Sequence, residues 1–210
     1  NEVDGKLSSS NLTLRAFYEI KTSGKQDAHL NLLTHLIYNR VKTLIKDGKT
    51  MDEAVAQAEG EIVEALPIGP EDFKLSGNTT NLTLQGGDTD DNAYLFAVSA
   101  VIIHTAFYVD QSGEGGVQEL INKISSDLAD DGELKTDLVE KLKNALSVPG
   151  YFDGDHNYLI TEDIEQNLNK RFEALGSVAR VPDLDKILDQ DGDGIVNADD
   201  NCWTVANPEQ

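Results

Sequence analysis

Ala93-Tyr-Leu-Phe-Ala-Val-Ser-Ala-Val-Ile-Ile-His-Thr-Ala-Phe-Tyr108 is the run that decides the fold. On a helical period of about 3.6 residues, Leu95, Phe96, Val98, Val101, Ile102, Ile103 and Phe107 place apolar side chains on nearly every side. A helix without a polar face is stable in water only at the centre of a core. Asp90 or Asp91 stands where a cap is needed, and His104, inside the apolar run, reads as a hydrogen-bonded core residue. The expectation is a mainly α fold, a bundle of about six helices around a buried central helix at 93–108.

The flanks supply the other helices. From Lys25, Leu30, Leu33, Leu36, Ile37, Val41 and Leu44 recur at helical spacing until Gly48. Thr50-Met-Asp-Glu53 is a capping box that opens a helix carrying Ala54, Val55, Ala58, Ile62, Ala65 and Leu66, which Pro67 and Pro70 stop. Residues 68–91 are polar and read as a long loop with one short strand candidate, Asn81 to Gln85. Gly113 to Gly116 breaks the chain before two amphipathic helices, Val117–Leu128 and Leu134–Leu146, joined at Asp131-Gly132. Thr161 then caps a helix to about Leu175, ended by Gly176.

The first segment has a different period. Asn11 to Ile20 alternates apolar and polar positions at Leu12, Leu14, Ala16, Tyr18 and Ile20, as a half-buried strand does. Its partner is open: a preceding domain, the Asn81–Gln85 segment, residues 2–8, or another protomer by strand addition.

A net charge of −21 over 210 residues argues against nucleic acid and anionic lipid as partners, and for cations. It equally suits an acidic surface that keeps a protein soluble. One cysteine rules out an internal disulfide framework and a cysteine-based zinc site. No run approaches the roughly 20 apolar residues of a membrane span. The chain starts at Asn1 without a signal peptide, so a processed or excised piece is expected. Asn11-Leu-Thr, Asn78-Thr-Thr and Asn81-Leu-Thr are glycosylation sequons, meaningful in a eukaryotic source.

The densest chemistry lies in Asp189-Gln-Asp-Gly-Asp-Gly-Ile-Val-Asn-Ala-Asp-Asp200. Asp189, Asp191 and Asp193 occupy alternate positions, Gly194 permits a sharp reversal, and Asp200 closes the loop. A hard divalent cation wanting about six or seven oxygens is served by those carboxylates, the Ile195 carbonyl, a water held by Asn197, and Asp200. Oxygen-only ligands on a flexible loop favour Ca²⁺. Asp200 stands where an EF-hand has glutamate, so the closing segment must approach more closely. Asp153, Asp155 and Asn157 begin the same alternation, with Tyr158 in place of glycine and Ile164 at the closing position, and form a possible second metal site. The Gly87-to-Asn92 acids read better as a loop and helix cap. The chain thus divides into an N-terminal strand segment at 1–24, a helical domain at 25–182 and a calcium-loop tail at 183–210.

The loop, followed by Asp199-Asp200-Asn201-Cys202 and Asn207-Pro208-Glu209-Gln210, resembles one thrombospondin type 3 repeat and is similar to the calcium loop of dockerins. The resemblance covers about the last tenth of the chain. It implies Ca²⁺ ligation by Asp189, Asp191, Asp193 and Asp200 in an extracellular, secreted or cell-surface protein. Trp203 stands where such repeats usually have proline, and Cys202 lacks the partner such cysteines normally have, so further repeats are expected after Gln210 in a longer precursor. Leu12-Thr-Leu-Arg-Ala16, Leu33-Thr-His-Leu36 with Arg40-Val41, and Ala54-Val-Ala-Gln-Ala58 are also similar to a helical region of large bacterial surface proteins.

No catalytic motif is present. His29 and His35 are not spaced to share a helix face, and no His-Glu-x-x-His, Gly-x-Ser-x-Gly or P-loop pattern occurs. The expected function is therefore not enzymatic: an extracellular calcium-binding structural or adhesion module, able to self-associate into filaments or a surface matrix through its N-terminal strand. The alternatives are a dockerin-like protein-recognition module, for which two loops rather than one would be expected, and a secreted hydrolase.

Overall fold

Among the described residues the chain forms six helices: α1 (Leu32–Leu36), α2 (Tyr38–Lys46), α3 (Met51–Ala65), α4 (Asp90–His104), α5 (Gly113–Asp131) and α6 (Thr136–Ser147). The computed structural model describes residues 2–3, 6–7, 12–19, 29–70, 72–84, 87, 89–106, 113–147, 169–170, 173–174, 176, 187, 189, 191–195, 200–202 and 205–209. A minimal antiparallel ladder, β1 (Glu2–Val3) with β2 (Lys6–Leu7), is the one sheet among them.

Local signals explain the helix ends. Asn31 caps α1 by accepting from the Thr34 N–H at 3.0 Å, while the Thr34 hydroxyl oxygen accepts from the Asn31 N–H. The Thr50–Glu53 box opens α3. Gly48 (φ +98°) stops α2, and Leu66, ahead of Pro67, caps α3 in an extended conformation.

Helix α5 touches α1, α2 and α4, and α4 in turn packs on α6. The stripe Val117, Leu120, Ile121, Ile124 and Leu128 on α5 is buried at helical spacing, as are Leu138, Leu142 and Ala145 on α6. Each fully buried aliphatic side chain contributes about 1.5–3 kcal/mol, so these stripes supply the main drive to fold. Ala93, Tyr94, Leu95, Ala97, Val98, Val101 and Ile102 are buried on α4, while Ile103 is 39% exposed. The apolar helix is thus central with one edge open to solvent. Phe73 stacks on Tyr94 with ring centroids 4.7 Å apart.

Polar ties complete the body. Buried Arg40 on α2 forks both oxygens of Glu61 on α3, at 2.7 and 2.8 Å, and also donates to the Asp130 carbonyl of α5. Three helices meet at that guanidinium. Burial alone would raise the Glu61 carboxyl; the Arg40 fork and the Gln57 amide more than offset it, and its pKa falls. Gly132 (φ +85°) passes so close to Glu61 that a Cβ there would strike the carboxylate. The long loop before α4 is pinned by side chains: Asn31 donates to the Thr79 and Leu82 carbonyls, Asp91 accepts from the Ser76 and Gly77 N–H groups, and Asn92 accepts from the Thr83 N–H.

Several expectations change. Residues 12–19 belong to no sheet; they form an extended strap with Leu14 and Phe17 packed against the core and Phe17 stacked on Tyr38 at 4.8 Å. The packed pair stands three residues apart, and Leu12 and Tyr18 of the expected inward set are exposed, so contact with the helical body does not follow the alternation. Residues 82–84 are not paired in a strand, and Thr79–Asn81 form a 3₁₀ turn. Thr89, not Asp90 or Asp91, caps α4, because Asp91 is committed to the loop at 76–77. The run from Lys25 to Gly48 is divided at Ile37, and Leu30 is 57% exposed, ahead of the cap. Helix α5 starts within the glycines that were expected to break the chain. The expected central helix ends at His104, with a π-type turn at 105–106; Phe107 and Tyr108 lie outside the described residues, as does most of the Thr161–Leu175 helix. Among the described residues, no helix is long and apolar enough to cross a membrane.

Candidate metal centre

Two residues before the acidic loop, Ile187 is buried in the hydrophobic core and ties the tail's entrance to the body. The next acid, Asp189, is also buried. Gly192 (φ +74°) and Gly194 (φ +95°) take the left-handed backbone that lets the chain coil around it. Asp189 Oδ1 accepts from the Gly192 N–H at 2.9 Å and Oδ2 from the Gly194 N–H at 2.8 Å. The alternation is used again along the loop: Asp191 Oδ1 accepts from the Asp193 N–H, Asp193 Oδ1 from the Ile195 N–H, and Asp200 Oδ1 from the Cys202 N–H.

This winding gathers the acids. Carboxylate oxygens of Asp189, Asp191 and Asp193 lie within 4.8 Å of one another. Like charges so close repel one another. Burial, followed by the charges of Asp193, Asp200 and Asp189, raises the Asp191 carboxyl above the usual range. No Lys, Arg or His occurs from Ile187 to Gln210, so no side-chain cation in this segment compensates. Asp191 Oδ2 is buried without a hydrogen-bond donor, and so is Asn207 Oδ1. Converging oxygens, an orphaned buried carboxylate atom and a donor set without nitrogen or sulfur fit a hard divalent cation.

The expected ligands divide. Asp189, Asp191 and Asp193 form the tight group; Asp200 lies outside it but near enough to act on Asp191. Ile195 contributes its N–H to Asp193. Asn197 lies outside the described residues, as do Asp153, Asp155 and Asn157. Asn207 was not expected at the site: its N–H donates to Asp193 Oδ2 at 2.8 Å and its amide to Asn201 Oδ1 at 3.1 Å, folding the last turn onto the loop. The signal available for it was the Asn207-Pro208 turn pair. Cys202 is exposed with a free thiol. Elsewhere, Asn92 donates to the Gly87 carbonyl, consistent with a loop-and-cap role for that acidic stretch. His35 and His104 are both buried in the helical body.

No known protein family, no curated protein and no solved structure matches this chain.

Proposed function

We propose that the protein is an extracellular structural or adhesion module whose C-terminal loop binds calcium. One observation carries this reading: three carboxylates converge with a buried, donorless oxygen of Asp191 among them. Asp189, Asp191 and Asp193 would hold the ion, with Asp200, the Ile195 carbonyl and Asn197 as further ligands. The ion supplies positive charge that a segment without basic residues lacks, and so turns a self-repelling tail into a fixed one. The likeness of the loop to thrombospondin type 3 repeats supports calcium and a secreted or cell-surface location. With Ile187 in the core and Asn207 on Asp193, an ordered loop would set the direction in which the chain leaves the body.

A specific form of this function is self-assembly, the first residues of one copy seated on the body of the next and calcium at the junction. The strap at 12–19 supports it, since Leu14 and Phe17 grip a helical surface through side chains rather than a sheet. Chelation with excess EGTA is expected to lower the melting temperature and open residues 183–210 to protease. Calcium at a hundredfold excess over Kd would stabilise by about 2.7 kcal/mol. An unchanged melt and unchanged cleavage in EGTA would refute calcium binding; filaments that persist after removal of residues 1–20 would refute strap donation alone.

A further inference from the structure

The strap ends in a hydrogen-bond chain that leads to a buried imidazole. Gln118 on α5 grips the strap backbone at one residue: its Oε1 accepts from the Thr13 N–H at 2.6 Å and its Nε2 donates to the Thr13 carbonyl at 3.3 Å. The same Nε2 donates to Asn122 Oδ1 at 3.1 Å, and that oxygen lies 3.2 Å from His35 Nε2. An amide oxygen can only accept, so the neutral ring carries its proton on Nε2. Its other nitrogen, Nδ1, is buried with no partner.

We propose that His35 is a pH-operated latch on the strap: neutral, it holds residues 12–19 against the helical body, and protonated, it releases them. The physical reason is local. A second proton would sit on Nδ1, where no acceptor exists, and an unsatisfied buried donor costs about 1–3 kcal/mol, more when charged. Of the charged groups among the described residues, Arg15 on the strap acts on the ring, and its sign opposes a second positive charge. At the ring, α5 presents the neutral Asn122; Ser125 of α5 donates to the His35 backbone carbonyl and accepts from Asn39 of α2. Arg15 and Lys42 both lie over the Tyr38 ring, 5.8 and 5.9 Å from its centroid, so the strap's resting place already holds two cations. Departure of the strap removes Arg15 and frees Gln118 beside Asn122, and the latch requires that it also admit water to Nδ1, where the new N–H would be satisfied.

Burial, with a smaller contribution from Arg15 and against the Asn122 hydrogen bond, lowers the His35 pKa from 6.5. Arg15 sits on the closed strap, so closure adds to that penalty on the proton. The latch is fully effective above pH 6.5 and is lost as pH falls below that value. As pH falls between the open-state and closed-state pKa values, the open-to-closed ratio rises by at most about tenfold per pH unit.

The test is an NMR titration of the whole chain from pH 8 to pH 5, following the His35 ring, the Thr13 amide and the Phe17–Tyr38 cross-peaks. The Thr13 amide and the ring contacts are expected to disappear along the His35 titration curve while the α5 and α6 amides persist. His35→Gln, which cannot titrate, should keep the strap closed at pH 5. Gln118→Ala, at a surface position, should leave the strap open at every pH and restore ordinary His35 titration; it serves if the His35 variant fails to fold. Strap contacts that survive His35 protonation would overturn the proposal. So would loss of those contacts along one pH curve in wild type and His35→Gln alike.

Discussion

The helical body and the acidic tail solve opposite problems. In the body, apolar stripes on α4, α5 and α6 are excluded from water, and the charges near them are paired: Arg40 with Glu61, Lys135 with Asp127. In the tail, backbone shape is held by carboxylates that accept N–H groups, and those same carboxylates repel one another with no basic side chain in the segment. The body can complete its folding from its own residues. On the proposed function, the tail's geometry would be completed by a charge it does not contain. Divalent cations should thus act on order in the second far more than on the packing of the first, which they reach only through the tail that Ile187 ties to it.

The sharpest break of this contrast comes from the node where three helices meet. Arg40→Met leaves the Glu61 carboxylate half-buried without its fork and should cost about 3–5 kcal/mol in urea unfolding, by the same amount with calcium or EGTA. A loss that calcium rescues would mean the two regions are coupled. Next, Gly132→Ala forces a side chain into a left-handed backbone and against Glu61, for a loss of about 1–3 kcal/mol. Its cost should shrink in the Arg40→Met background, since both act on the same carboxylate; strict additivity in a double-mutant cycle would deny that. Smallest, Thr50→Ala removes the α3 cap at an exposed end and should cost about 1 kcal/mol with no effect on the tail.

What could be read in advance follows the same division. Periodicity carries apolar burial, so the α4 core, the α5 and α6 stripes and the Thr50 box were legible. The Arg40–Glu61–Gly132 node was not, because a buried ion pair between helices leaves no spacing rule in sequence. The strap misled for a related reason: Leu12, Leu14, Ala16, Tyr18 and Ile20 alternate as a strand does, yet it is Leu14 and Phe17, three residues apart, that pack on the helical body. Asp91 looked like a cap and instead holds the loop, a choice set by tertiary contacts with Ser76 and Gly77. At the tail, chemistry was written in adjacent residues, so Asp189, Asp191 and Asp193 could be grouped from spacing alone. Asn207 could not, since its contact with Asp193 spans the loop's far side.

A calcium titration followed at the backbone amides tests the contrast most directly. The Gly192 and Gly194 amides, both bound to Asp189, should shift with saturable, near one-to-one occupancy at or below millimolar calcium, with Asn207 following and the amides of α5 and α6 unmoved. Absence of any saturable shift at those glycines in millimolar calcium would contradict the account.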